Sequence, residues 1–510
     1  MGFHIDPRPE TFKSAWQEAG VIFVVCMAQL LTQAGASQCL PMMDALAEAF
    51  PNVTNSDKVW FMSAFSLTAG AFILISGKFG DLYGLKKVLI CGTIWSFIWT
   101  LITGFTSYTD SVIFFCVCRG LHGIGIAFVL PTAIGVAGTM YPNGQRKALV
   151  FSAIGGMAPI GATLGAIFSG LMTVRGHWEW VFYSNAIGVA LLGVAAYFVI
   201  PSIPRHAPVE AKMDWVGSFV GVAGLLLFNV ATNQAPEVGW NSAYVIVLVV
   251  VGVLLLVGFC FIERKVQWPL VPPNAMSIQI FMILLVVAFG WASFSIFLFY
   301  YWSFNMNLRG YSALKTGATY VSLAFFGVVA ASIVGFFIRR VRPSFLLLAA
   351  TIGFLIGIVL LSVTPVHQTF FILEFIALII LPFGMDLSFP AASLVMSDKL
   401  PKEHQGMASS LVSTMTNYAT SVSLGFASTA QAKVYAHTSD LLKSYRAGLY
   451  VGIGFAGVGC LLAIALIILS YVTPHKPLEV ETEQEQTEQE QTEQELTTED
   501  IKSEENKEVV

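Results

Sequence analysis

The sequence predicts an all-α polytopic membrane protein, and three observations carry that prediction. Of its 510 residues, 56% are hydrophobic and only 11% are charged, whereas soluble domains carry about 25% charged residues. Apolar runs of roughly 20 residues, long enough to cross a bilayer as a helix, recur along nearly the whole chain. Short polar turns separate these runs, and Lys and Arg concentrate in alternate turns.

The N-terminal segment, residues 1–20, is polar and has no small-residue cleavage site after a short apolar core. The first span is therefore expected to serve as the targeting signal. Helices are expected at 21–41, 59–77, 87–106, 111–131, 148–172 and 178–200, a first half covering 21–200. A Pro-rich linker, 201–213, leads to two inserted helices within 214–262, at 214–233 and 241–262. A second linker, 263–278, contains Pro269, Pro272 and Pro273. Six further spans follow in 279–472: 279–303, 314–338, 344–363, 369–396, 405–430 and 448–472. That makes fourteen. Residues 473–510 change character, with a TEQEQ repeat too polar to bury a core, and are expected to be a disordered acidic tail.

The tail supplies most of the negative charge behind the net −4. The membrane part is slightly basic, and nothing in it asks for a nucleic-acid partner. With the N-terminus inside, inner turns hold twice as many Lys and Arg as outer ones, so both termini are expected in the cytoplasm. Asn52-Val53-Thr54 then offers a glycosylation site in the first outer loop. The seven cysteines lie in apolar runs, without Cys-x-x-Cys or Cys/His spacing, which reads as packing rather than metal binding. No cofactor and no enzyme chemistry are expected, for no phosphate-binding loop or nucleophile-base pairing is present.

Function must then lie in polar residues within or between spans. The turn Gly77-x-x-x-Asp81-x-x-Gly84-x-Lys86-Lys87 follows the second span. Its glycines permit a tight turn, and Asp81 ends a helix where a carboxylate needs a compensating cation. Arg119 lies well inside the fourth span, where an arginine costs at least about 2.5–3.5 kcal/mol, with His122 one turn on. In the fifth span Gly161 and Gly165, four apart, allow close helix approach, and Pro159 loosens the helix. Two acids, Glu374 and Asp386, fall in the twelfth span, Asp386 near mid-membrane. The ninth span is rich in aromatics. Residues 300–304 read as an interfacial belt, and Trp291 and Phe294 as candidates to line a cavity.

Together these motifs resemble the major facilitator superfamily, and specifically its fourteen-span drug:proton antiporter branch. The turn matches that family's signature at Gly77, Asp81, Gly84 and Lys86, and departs from it at Leu82 and Leu85, where basic residues are usual. Arg119 matches the fourth-helix arginine, with His122 where glutamine is common, and Ala162 stands where the fifth-helix motif has proline. Thr32 occupies the place of a first-span aspartate. The runs MAPIGATLG, FGMDLSFPAAS and EHQGMASSLV look closer still to a fungal branch named for aminotriazole resistance.

The resemblance implies two six-helix halves around a midplane cavity, a small-molecule substrate such as an azole or borate, and export coupled to a proton gradient. Arg119 and Asp386, with His122 and Glu374, are then the groups to bind or relay protons, and the glycine-rich fifth helix is the seat of the moving halves. The chain is expected to act as a monomer in the plasma membrane, with the vacuolar membrane as the alternative. Uniport or channel-like passage of a small solute such as ammonium is the second reading, favoured by Thr32. A non-transporting nutrient sensor is the third.

Overall fold

The structure is a computed structural model that describes residues 7–51, 53–54, 57–142, 145–203, 212–271, 276–337, 341–399 and 405–472. Asn52 and the TEQEQ tail lie outside the described residues. Residues to Leu466 form one compact unit, and the described chain beyond it only continues the last helix.

All regular structure among the described residues is helical. The first half contains α1 (Ala15–Ser37), a short α2 (Met43–Ala49), α3 (Asp57–Tyr83), α4 (Leu85–Phe105), α5 (Val112–Met140), α6 (Gln145–Val174) and α7 (Glu179–Val199). An inserted hairpin follows, α8 (Trp215–Val238) and α9 (Ala243–Glu263). The second half is α10 (Ile278–Ser303), α11 (Ala313–Phe337), α12 (Pro343–Val363), α13 (Leu373–Lys399), α14 (Gln405–Thr438) and α15 (Leu441–Val472). A π-helical turn, Phe304–Leu308, extends α10.

Local chemistry sets many of the boundaries. Ser14, Ser111, Asp214, Ser242 and Ser277 each accept a hydrogen bond from the backbone N–H three residues on, which satisfies a donor that the helix start would leave unpaired. Gly84, at φ +95°, makes the sharp turn between α3 and α4. Before α15, Asp440 accepts from the N–H of Lys443 at 3.0 Å, which holds its exposed carboxyl below the usual range.

All fourteen expected spans coincide with long helices, but thirteen are apolar enough to cross a membrane by composition. The remaining one, α14, is rich in Ser, Thr and Asn and falls short. Its polarity is met by neighbours, because α14 packs against α3, α8, α10 and α13. The expected aromatic belt at 300–304 is a correction. Tyr300, Tyr301 and Trp302 are buried in the largest apolar cluster, and Phe304 is buried beside them. Gln431 accepts from Tyr300 Oη at 2.8 Å and Thr319 Oγ1 lies 2.7 Å from Tyr301 Oη, so these hydroxyls need no membrane interface.

Two seams join the halves, α3 against α14 and α6 against α11. Along α3, a Cβ on Gly70 would lie 2.7 Å from the Tyr418 backbone nitrogen, and one on Gly77 would lie 2.8 Å from Ser410 Oγ. Missing side chains let the two helices touch over most of their length.

Candidate transport path

At the motif turn, each residue has a structural task. Gly80 and Gly135 leave the slot that Leu85 fills, with its Cδ2 methyl 2.8 and 2.9 Å from their added Cβ positions. Leu85, where a basic residue was expected from the resemblance, is thus a packing peg between α3 and α5. Lys86 donates to the Ile200 carbonyl at the end of α7 and stands 5.6 Å from the Tyr197 ring, a cation placed at a helix C-terminus. Lys87, next in α4, is exposed. Lys78 lies within electrostatic reach of Asp81 and of Glu263 on α9.

Arg119 is fully buried. Its Nε donates to the Phe61 carbonyl at 3.4 Å, and Nη1 meets His122 Nδ1 at 3.4 Å. The guanidinium lies 4.6 Å from the Phe65 ring, a cation–π contact that offsets part of the lost hydration. Because an arginine can only donate, Nδ1 of His122 must accept, which places the histidine proton on Nε2. That Nε2 has no hydrogen-bond partner, and neither do Arg119 Nη2 and Asn185 Oδ1. Gly35 of α1 leaves room beside His122 and Asn185, since a Cβ there would lie 3.7 Å from His122 Nε2 and 3.7 Å from Asn185 Nδ2. The first half therefore holds a buried polar notch made by α1, α5 and α7. Thr32 does not contribute a free group to it, because its hydroxyl donates to the Ala28 carbonyl at 2.7 Å within α1.

The acids of α13 differ sharply. Glu374 is 3.2 Å from Arg309 Nη1, off the hydrogen-bonding direction, and accepts from Asn305 Nδ2 at 3.2 Å. Arg309 also donates to the Pro365 carbonyl at 3.3 Å. This buried ion pair ties the π-helical end of α10 to the start of α13. Asp386, three turns further, has Oδ2 buried without a partner. No described contact joins Arg119 to Asp386. Trp291 Nε1 donates to Ser388 Oγ at 3.1 Å; Trp291 meets the Phe354 ring edge-on and Phe294 lies tilted against it in the second-half core.

The fifth-span motif divides its work between two seams. An added Cβ on Gly161 would strike the Leu30 carbonyl and one on Gly165 would lie 2.6 Å from Ala34 Cα, so these glycines seat α6 on α1 within its own half. Pro159 and Gly170 instead face α11: a Cβ added to Gly327 would lie 2.8 Å from the Pro159 ring, and one added to Gly170 would lie 2.9 Å from the Ala313 carbonyl oxygen.

Three polar assemblies were not singled out from the sequence. Glu18 accepts from Arg146 at 2.6 and 2.7 Å and from Tyr141 at 3.2 Å, joining α1 to the α5–α6 turn. The second is the Arg309–Glu374 pair, whose arginine reads in the sequence as one more charge between two spans. Asn229 and Asn233 of α8 engage Ser421 of α14, and Asn233 engages Ser63 of α3. Two asparagines four apart in an apolar run are themselves a signal of an interhelical contact.

The family's sequence model for the Major Facilitator Superfamily matches residues 25–425. The chain belongs to the Major Facilitator Superfamily. This facilitator is 45% identical over 471 residues to the aminotriazole resistance protein of Saccharomyces cerevisiae, covering 91% of this chain and 86% of that one. It is 41% identical over 464 residues to the low affinity ammonium transporter of the same yeast, covering 90% and 89%. It is 37% identical over 477 residues to efflux pump terJ of Aspergillus terreus, covering 92% of each chain. Among solved structures, a POT family transporter in complex with 5-aminolevulinic acid superposes with a TM-score of 0.63 at 14% identity, over 89% of this chain and 96% of that one. That likeness shows the fold. The facilitator is a multi-pass membrane transporter, and its working medium is the lipid bilayer.

Proposed function

We propose that this facilitator exports small toxic molecules by alternating access, in exchange for protons. One observation carries the reading: Arg119, fully buried, and Asp386, partly buried with its Oδ2 out of water, lie on different halves and leave hydrogen-bonding capacity unused. Such groups are costly in a membrane and mark solute or proton paths. In this reading Asp386 takes up and releases the coupling proton. Arg119, with His122 and Asn185, binds the solute in the notch beside Gly35. Glu374 holds the gate end of α13 through Arg309. The names of the relatives, aminotriazole resistance protein and efflux pump, support export of small toxic solutes. The Lys and Arg bias supports a cytoplasmic motif turn and cytoplasmic termini, and the protein is proposed to be a monomer of the plasma membrane.

The test is flux of labelled aminotriazole in liposomes under an imposed pH gradient. Wild type should concentrate it, and Asp386→Asn should lose the gradient-driven part. Equal gradient-driven flux in both would remove Asp386 from coupling.

A second reading, uniport of a small solute such as ammonium, is favoured by Thr32, whose hydroxyl is consumed within α1, and by the ammonium-transporting relative. Methylammonium flux indifferent to the pH gradient, with no aminotriazole transport, would select it.

A further inference from the structure

Away from the notch and Asp386, two carboxylates are left half-satisfied where the inserted hairpin meets the end of α3. Asp214 caps α8, and its Oδ1 accepts from Gly217 N at 2.9 Å. Glu263 closes α9, and its Oε2 accepts from Val271 N at 2.9 Å. They are 7% and 4% exposed. Their other oxygens, Asp214 Oδ2 and Glu263 Oε1, have no hydrogen-bond partner. Both converge on the space above Gly217, where an added Cβ would strike Asp214 Oδ2 and lie 2.9 Å from Glu263 Oε1. Two ionised carboxylates facing one another out of water repel strongly, and one must be neutralised.

The surroundings narrow what neutralises it. From α3, Lys78 is within electrostatic reach of Glu263, but it is shared with Asp81 and forms no ion pair with either hairpin carboxylate among the described residues. Lys212, Arg264 and Lys265, next to the two acids in sequence, are exposed. A divalent cation needs six or more oxygens in a shaped cage. Here two oxygens are free, and the described residues hold no cluster of three metal-ligating side chains.

We propose that Glu263 holds a proton against the facing carboxylate of Asp214, a protonation site on the inserted hairpin separate from Asp386. The pair adjoins the apolar cluster of Ile75, Leu82, Met213 and Leu270, through which the hairpin packs on α3. With the proton bound, the hairpin end is a single negative charge matched by Lys78. With the proton lost, the added charge repels its neighbour and loosens the hairpin from α3, at the end that carries the motif turn. The side of the membrane rests on the proposed orientation; the site itself does not.

Infrared spectroscopy of the full-length protein in liposomes reads this directly, because a protonated carboxyl absorbs apart from a carboxylate. Wild type at neutral pH should show a protonated-carboxyl band that Glu263→Gln removes. Asp214→Asn, which keeps a good helix cap, should weaken it, because the repulsion that retains the proton is gone. The same component should persist in Asp386→Asn, so failure of the coupling proposal leaves this one standing, and the reverse. Spectra unchanged by both hairpin variants would overturn the proposal. So would a carboxylate pair that gains a protonated band only in Lys78→Met, which would make the lysine the neutralising group. Stabilisation by added sodium, potassium, magnesium or calcium that Glu263→Gln abolishes would make the ligand a metal cation and overturn it as well.

Discussion

Ser63 of α3 donates a hydrogen bond to Asn233 of the inserted helix α8, at 3.2 Å and fully inside the protein. Asn233 in turn donates to the Ser421 carbonyl of α14 at 3.1 Å, and Ser421 Oγ donates to Asn229 at 2.9 Å. The hairpin thus clasps the first half to the second.

The clasp is lopsided, and that sets the first prediction. Tyr418 Oη bonds the Leu225 carbonyl at 3.0 Å and Trp240 Nε1 bonds Thr429 at 3.1 Å, so α8 is fastened to α14 along its length. Toward the first half, the side-chain bonds described for α8 are those of Ser63 on α3 and, just before α3, Thr54 with Glu237. A disulfide between Asn229→Cys and Ser421→Cys, in a background without the native cysteines, should leave liposome flux intact. One between Ser63→Cys and Asn233→Cys should stop it until reductant is added. Equal tolerance of both links would mean that α8 does not travel with the second half.

Gly70 tests the α3–α14 seam. Gly70→Val places a side chain against the Tyr418 backbone, which cannot yield as a side-chain tip would. Overpacking of this kind costs about 1–3 kcal/mol, read as a lower thermal midpoint together with lost flux. Gly155→Ala is the control, since nothing lies within 4 Å of a Cβ there.

Removing one member of the Arg309–Glu374 pair leaves the other charged and buried. Glu374→Gln should destabilise the protein by about 3–5 kcal/mol in reversible unfolding, and Arg309→Gln/Glu374→Gln should recover much of that loss. A variant at Glu374 with unchanged stability but altered coupling would instead assign this acid to the proton path.

His122 accepts from Arg119, so a side chain that can accept from the same place should serve. His122→Gln is expected to keep most flux. His122→Leu should lose a hydrogen bond to a charged group, worth about 1.5–3 kcal/mol, and lower flux at least about tenfold at matched expression. Similar flux in both variants would show that the contact with Arg119 is dispensable.

How much of this could be read from residues alone depended on whether the signal was local. Spans were legible because apolar length is local information, and Gly84 because its turn needs a positive φ that few other residues adopt. Arg119 stood out because a charge in an apolar run has no bland reading. The chain gave no comparable warning for Arg309, which sits at a loop end and is buried only because α13 and the π-helical turn fold over it. The aromatics at 300–304 were misread for the same reason: an interfacial belt and a buried core share one composition, and only the partners Gln431 and Thr319 tell them apart. Gly161 and Gly165 announced a close approach, but which helix approaches, α1 rather than α11, is a property of the assembled bundle.

The polarity of α14 bears on how the protein is made. A segment short of the apolarity that carries a helix out of the translocon has little reason to enter lipid by itself. What receives it is the wall of α3, opened by Gly70 and Gly77, together with Asn229 and Asn233 of α8, all synthesised earlier. Insertion of α14 and docking of the two halves then become one event. Lesions in α3 or α8 should therefore appear in cells as failed biogenesis of the C-terminal helices and early degradation, before any molecule reaches the membrane where its transport could be measured.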